Sequence, residues 1–250
     1  MGCVHVVSFS GGKDSTAMLL KMIENNMQID EIIFCDTTVE FLEMYKHIEK
    51  VESYIKRPIT TLKSPYTFEY IMFEYVKRKG KNKGSKGYSW PNFRIRWCTD
   101  FFKRRLWLEH LRQYNHAIEY HGIALDESER ADKNKDGRNI KYPLIEWGMT
   151  EEDCLEYCYN KGFDWNGLYE KFARVSCYLC PLQRLGELKV LYTEFPELWA
   201  YMKELDKRSI KQFGRKFRSD YSIEELETKF DKELQRQQRI DRVHRKKQIM

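Results

Sequence analysis

Val6-Val7-Ser8-Phe9-Ser10-Gly11-Gly12-Lys13-Asp14-Ser15-Thr16 is the stretch on which the fold turns. Apolar residues run into it from Val4, two glycines interrupt, and the amphipathic segment Thr16 to Ile23 follows. That order predicts a strand, a tight turn and a helix N-terminus. Amides at such a turn point outward and the helix dipole adds partial positive charge, so an anion is favoured there. Gly11 and Gly12 let the backbone approach a phosphate with no Cβ in the way. Ser10 and Ser15 offer hydroxyls, and Lys13 reads as an exposed lysine supplying a point charge. Asp14, in the first helical turn, suits the dipole and can hold a magnesium ion. The spacing fits neither the Walker loop, which needs an earlier glycine, nor the Gly-x-Gly-x-x-Gly dinucleotide fingerprint.

Working outward, Glu31-Ile32-Ile33-Phe34-Cys35-Asp36 is a second apolar run ending in a carboxylate, followed by Thr37 and Thr38. Ligands of open parallel sheets sit beyond the carboxyl ends of the strands, which puts Asp36 and Thr37 on the nucleotide side. The alternative is a helix N-cap for Val39 to Tyr54, where Phe41, Met44, Tyr45 and Ile48 recur at helical spacing. Pro58 to Leu62 reads as a third strand and Tyr66 to Val76 as a helix. Ile118 to Ala124 reads as a further strand, with Asp126-Glu127-Ser128-Glu129-Arg130 at its carboxyl end. Residues 132 to 138 are polar and turn-rich. Strand alternating with helix predicts an α/β fold with a doubly wound, mostly parallel sheet. Thr150-Glu151-Glu152-Asp153 has capping-box spacing and opens a helix to about Asn160. From Leu182 the chain reads as helical, over Leu185 to Tyr192, Pro196 to Phe213 and Ile223 onward. The division expected is therefore an α/β nucleotide-binding domain with a cysteine site over 1–181 and a helical, basic extension over 182–250.

The cysteines form a second theme. Thr99 caps a helix running to about Gln113, so Cys98 falls at a helix N-terminus, where the dipole and Arg94, Arg96, Lys103 and Arg104 favour a thiolate. A buried structural cysteine is the alternative. Cys154 and Cys158 lie one helical turn apart, and the flanking Leu155 and Tyr157 favour a half-buried helix face over a metal site. Cys177-Tyr178-Leu179-Cys180-Pro181 brings two sulfurs close enough to share a metal, but it is only half a site. Cys98 is the natural third ligand, and a redox dithiol competes with that reading.

Of 250 residues, 42% are hydrophobic, enough for a core, and no apolar run reaches the ~20 residues needed to span a bilayer. The start of the chain does not read as a secretory leader. Seven cysteines without such a signal point to a reducing, cytoplasmic setting and to thiol or metal chemistry. The net charge of +6 suits anionic ligands without requiring nucleic acid. Lys77, Arg78, Lys79, Lys81, Lys83 and Lys86, next to Tyr88 and Trp90, read as a mobile basic loop. That loop and the arginines of Leu226 to Gln248 are either solvated surface or contacts for tRNA or DNA.

Ser10-Gly11-Gly12-Lys13-Asp14-Ser15 resembles the pyrophosphate-binding loop of the PP-loop ATPases, the adenine nucleotide alpha hydrolases. Further blocks are Asp36-Thr37-Thr38, Arg96-Trp97-Cys98-Thr99 with Lys103, and Gly122 with Glu127, Ser128 and Arg130. Others are Pro143 to Trp147, Asn166-Gly167-Leu168-Tyr169, and Arg174 with Cys177 and Cys180. Together they make the chain similar to the phosphoadenosine phosphosulfate (PAPS) reductase family. The resemblance implies that Ser8, Ser10, Gly11, Gly12, Lys13, Asp14, Ser15, Asp36, Thr37, Gly122, Glu127 and Ser128 bind the adenine nucleotide, ATP or PAPS. Lys13, Asp14 and Arg130 would be catalytic.

Assimilatory reductases of the family carry a C-terminal Glu-Cys-Gly-Leu-His-type nucleophile, whereas the last cysteine here is Cys180. The iron–sulfur reductases carry a Cys-Cys pair where this chain has Cys98 alone. That single-cysteine pattern looks more like the ATPase subunit of DNA phosphorothioation systems and the iron–sulfur tRNA thiolases. The resemblance thus implies an enzyme that cleaves ATP to AMP and pyrophosphate with Mg2+ and activates an acceptor for sulfur transfer. A sulfur-donor protein would be its partner. It also implies an iron–sulfur cluster, [4Fe-4S], on Cys98, Cys177 and Cys180. Zinc is the alternative, with His121 or Cys154 as further ligand. Two other readings stay open: a sulfonucleotide reductase using an external thiol, and a non-catalytic nucleotide-binding partner subunit.

Overall fold

Val6 and Val7, with Ile32, Ile33 and Phe34, are almost fully buried, and continuous apolar runs of this kind are what strands covered on both faces require. The computed structural model describes residues 2–131, 137–175 and 177–248. Among these residues there are five strands, β1 (Val4–Ser8), β2 (Glu31–Asp36), β3 (Thr60–Lys63), β4 (Ala117–His121) and β5 (Asn139–Lys141). They lie in the order β3-β2-β1-β4-β5, and every pairing is parallel, which is the doubly wound α/β fold. β1 is central: Val7 stands opposite Ile32 on one side and Tyr120 on the other. The strand order changes direction between β1 and β4, and the crevice at their carboxyl ends is where ligands of such sheets bind.

The chain divides into two compact units, residues 1–65 with 98–177 and residues 66–97 with 178–250. In the first unit, α1 (Lys13–Glu24) begins three residues before the Thr16 expected from its apolar pattern. α2 (Leu42–Ile55) begins three residues after the expected Val39, with Phe41 at its N-cap and Met44, Ile48 and Val51 buried. α3 (Glu151–Asn160) opens on the anticipated capping box: Asp153 N–H donates to Thr150 Oγ1 at 3.2 Å, and Thr150 N–H donates to Asp153 Oδ2 at 2.8 Å. The helix expected from Thr99 is not uniform. Trp97–Thr99 is α-helical, Asp100–Arg104 widens into a π-helical turn, and Arg105–Leu111 is α-helical again. Arg105 reaches back to Asp100 and lies 3.9 Å over the Phe101 ring, so the wide turn is closed by side chains. The polar turn anticipated over 132–138 lies mostly outside the described residues, as do Ser176, Ile249 and Met250.

The second unit joins Phe68–Phe73 and its following loop to the helices Leu185–Glu194, Pro196–Phe213 and Ile223–Gln248. Asp206 binds it together: its carboxylate accepts Trp90 Nε1–H at 3.0 Å and Ile223 N–H at 2.8 Å, and burial pushes its pKa up. Phe73 stacks on Phe213, and Trp90 meets Phe217 edge-on. The basic stretch from Lys77 is a closed hairpin-like turn. Lys77 N–H donates to Ser85 O at 3.0 Å, Gly84 N–H donates to Lys77 O at 2.8 Å, and Val76 bridges Lys86. Among the described residues no helix is long and apolar enough to cross a membrane. The side chains of Arg242, Arg245, Lys246 and Lys247 lie outside the description.

Candidate nucleotide site

β1 delivers the chain to the switch point at Ser8, which is half-buried between Ile33 and His121. Gly11 then turns the backbone at φ +77, and a Cβ there would stand 2.7 Å from Met44 Sδ. Gly12 is the N-cap of α1 and brings no side-chain cap. The first intrahelical bond is Thr16 N–H to Gly12 O at 2.9 Å, so the amides of Lys13, Asp14 and Ser15 have no intrahelical acceptor. The serine hydroxyls stitch the loop instead of standing open. Ser10 and Ser15 Oγ are 3.0 Å apart, Ser10 N–H donates to Ser15 Oγ at 3.1 Å, and Ser15 Oγ donates to Gly12 O at 3.0 Å. On the opposite wall Gly122 follows β4 directly. A Cβ there would lie 2.9 Å from both Cα and N of Ser15, so only glycine lets this strand end meet the loop.

Lys13 is not the exposed lysine its turn suggested: it is 6% exposed. Its Nζ stands 3.4 Å from Asp14 Oδ1 and 3.3 Å from Glu151 Oε2. Asp14, Glu127 and Glu151 each bring one oxygen into a group whose members lie within 4.8 Å of one another. Asp14 Oδ1 is buried, and its ion pair with Lys13 is too long to make a well-formed hydrogen bond. Burial, opposed by Lys13 and reinforced by Glu151 and Glu127, pushes the Asp14 carboxyl up to about 6. Arg130 pairs with Glu127 and is half exposed, and Ser128 beside it is half-buried.

Asp36 and Thr37 are committed at the β2–α2 junction. Asp36 is 2% exposed and accepts from Thr38 N–H at 2.7 Å and Tyr45 O–H at 2.8 Å, with Lys63 at 3.3 Å. Thr37 Oγ1 donates to Glu40 at 2.8 Å. Cys98 and Cys177 belong to the first unit and Cys180 to the second, and each is partly exposed. Cys154 and Cys158 are fully buried, beyond the half-buried face expected of them. Burial pushes Cys154 up to about 12 and Cys158 higher still, and Cys158 Sγ–H donates to Lys13 O at 3.5 Å.

Four residues around the loop escaped the sequence reading as site residues: Glu151, which had read as a plain first-turn residue of a capped helix, and His47, Trp165 and Tyr169. His47 Nε2 is 3.0 Å from Thr16 Oγ1 and its ring stacks on Trp165 at 4.2 Å. Burial, with Lys50 nearby, pushes its pKa down to about 3 and keeps it neutral. Trp165 Nε1–H donates to Gly11 O at 2.8 Å, and Lys13 N–H donates to Tyr169 Oη at 2.8 Å. For Tyr169 and Trp165 the available signal was the aromatic pair flanking Asn166-Gly167-Leu168.

With the Lys13 amide taken by Tyr169, the arrangement can hold an anion at the helix amides of Asp14 and Ser15 beside a buried lysine. Three carboxylates next to that place repel a bare polyphosphate, so the site as a whole suits an anion accompanied by a cation.

Residues 4–183 match the phosphoadenosine phosphosulfate reductase domain family. An uncharacterized protein of Methanocaldococcus jannaschii is 30% identical over 209 residues, which cover 78% of this chain and 39% of that protein. A second from the same organism is 29% identical over 203 residues, covering 77% of this chain and 45% of that one. The chain thus spans less than half the length of these two relatives. Among solved structures, the PAPS reductase of Candida auris, determined as a phosphate complex, aligns with a TM-score of 0.50 at 14% identity, covering 71% of this chain and 83% of that one. That likeness is one of fold. With the family match extending from β1 through the Cys177–Cys180 segment, the chain belongs to the PAPS reductase family of PP-loop, adenine nucleotide alpha hydrolase proteins.

Proposed function

We propose that the protein binds ATP at the Ser8–Ser15 loop, cleaves it between the α and β phosphates, and activates an acceptor for sulfur transfer. The observation that carries this reading is the acidic group Asp14, Glu127 and Glu151 around buried Lys13. A triphosphate arrives with a divalent cation, which such a group accommodates. A sulfonucleotide without one would meet three carboxylates balanced, among the described residues, only by Lys13 and Arg130. An acceptor oxygen attacks the α phosphorus, the bond from that phosphorus to the bridging oxygen breaks, and pyrophosphate leaves. A sulfur nucleophile then takes the acceptor carbon and AMP departs.

Lys13 and the amides of Asp14 and Ser15 would stabilise the charge that develops on pyrophosphate, because they are in place before the bond breaks. The buried Asp14 Oδ1, whose one charged neighbour among the described ion pairs is Lys13, and the neighbouring carboxylates are hard oxygen donors and fit Mg2+. When bound, the ion neutralises phosphate oxygens. Glu127 holds Arg130 beside the site, and Gly122 keeps the wall close to Ser15.

The family match keeps a second reading alive, a sulfonucleotide reductase served by an external thiol. The thiols Cys98, Cys177 and Cys180 remain proposed ligands of an iron–sulfur cluster, with zinc as the competing metal. That assignment rests on their sequence pattern and on sulfur donors being what both metals take. Calorimetric titration with ATP and with PAPS, each with and without Mg2+, tests the nucleotide. Tight, Mg2+-dependent ATP binding supports the leading reading, and Mg2+-independent preference for PAPS favours the second.

A further inference from the structure

We propose that Trp165 and Tyr169 clamp the phosphate loop, Trp165 by drawing the Gly11 carbonyl away from the anion and Tyr169 by fixing the first amide of α1. The inference rests on the reading of Ser10–Ser15 as a phosphate loop. A loop that binds an anion must turn its N–H groups toward the ligand and its carbonyl oxygens away, since each misdirected carbonyl repels the phosphate. Gly11, with φ +77, is the residue whose conformation decides where its carbonyl points. Its oxygen accepts the Trp165 indole N–H at 2.8 Å in a buried bond. Two residues on, Lys13 N–H is taken by Tyr169 Oη at 2.8 Å, which does for α1 the work of the missing N-cap side chain. Gly12 makes room for this phenol: a Cβ at Gly12 would sit 3.3 Å from Tyr169 Oη.

The clamp is held at a conformational cost. Trp165, Asn166 and Gly167 take φ values of +50, +50 and +78 in succession. Asparagine and glycine tolerate that region, but a tryptophan there is an outlier. Strain of this kind persists only where the surroundings over-determine it, and it concentrates at functional sites. Here the indole is 2% exposed, stacked on neutral His47 at 4.2 Å and edge-on to Tyr169 at 4.7 Å. His47 in turn meets Thr16 of α1. The strained turn therefore spans both sides of the loop with one rigid aromatic block. Trp165 and Tyr169 are positioning residues: they act through the loop backbone.

The test measures Mg·ATP and AMP affinities by calorimetry, with melting temperatures alongside, for wild type, Trp165→Phe and Tyr169→Phe. Phenylalanine removes only the hydroxyl at Tyr169, whereas at Trp165 it removes the indole N–H together with part of a buried ring, so the melting temperature reads the packing loss separately. Loss of one buried hydrogen bond to the loop should weaken ATP about tenfold while AMP changes less than about twofold, so the ATP/AMP preference falls in both variants. Two independent variants guard against one failing to fold. A lowered melting temperature with an unchanged ATP/AMP ratio would mean a merely structural role and overturn the clamp. Equal loss of both nucleotides would overturn it too. A wild-type protein without preference for ATP over AMP overturns the phosphate-loop reading itself, and the clamp with it.

Discussion

Replacing Asp14 by asparagine should stabilise the metal-free protein near neutral pH while destroying its chemistry. Asp14 sits against Lys13, Glu151 and Glu127, and burial pushes its carboxyl from the ordinary 3.8 to about 6. The unfolded chain releases this proton near the ordinary value, while the folded one keeps it to about 6. Between those values the folded state binds more protons, so stability falls as pH rises and stays reduced above about 6. The interval corresponds to at most about 3 kcal/mol. A fifth of the side chain reaches solvent, at 20% exposure, which screens the effect and brings it to about 2 kcal/mol. Asparagine never carries the charge. The melting temperature of Asp14→Asn minus that of wild type should therefore be near zero at pH 4, grow between pH 4 and 6, and level off at about 4–8 °C above. Millimolar Mg2+ should narrow the difference at pH 7 by raising wild type alone. Scanning fluorimetry across pH, with and without Mg2+, reads both. A difference that is independent of pH, or an asparagine variant less stable than wild type at pH 7, would mean that Asp14 carries no buried, destabilising charge in the folded protein.

Gly122→Ala puts a methyl group against the Ser15 backbone, so it should displace the loop and lower ATP affinity by more than about tenfold in a calorimetric titration, with the sheet intact by circular dichroism. Anaerobic purification followed by iron and zinc analysis should find metal in wild type, less in Cys98→Ala, Cys177→Ala or Cys180→Ala, and an unchanged amount in Cys3→Ala or Cys35→Ala; stoichiometric zinc in a colourless protein would replace the cluster assignment. Any binding of tRNA or duplex DNA through the closed basic turn Lys77–Lys86 should weaken steeply with salt, as released counterions require, and gel shifts at two ionic strengths measure it.

Much of the fold was legible because the governing signals are local. The apolar runs at β1 and β2, the glycine turn and the Thr150–Asp153 capping box each act within a few residues. β5 was not legible: its three residues include one apolar side chain, Ile140, and what makes it a strand is its pairing with β4. The π-helical turn at Asp100–Arg104 was equally hidden, since it depends on Arg105 closing back on Asp100. At the site, Gly11, Gly12, Lys13 and Asp14 announced themselves by type and spacing. The burial of Lys13 did not, because it comes from packing against α3, whose Glu151 and Cys158 lie more than a hundred residues away. The same separation concealed the acidic group, which the sheet topology assembles from three segments.

Cleavage between the α and β phosphates at the Lys13 loop is measured by identifying the products formed from α-labelled and γ-labelled ATP with Mg2+, water standing in for the acceptor oxygen, for wild type and Lys13→Ala. Wild type should form AMP and pyrophosphate in equal amounts, and the variant neither. ADP and phosphate from wild type, or AMP and pyrophosphate formed at the same rate by Lys13→Ala, would contradict this.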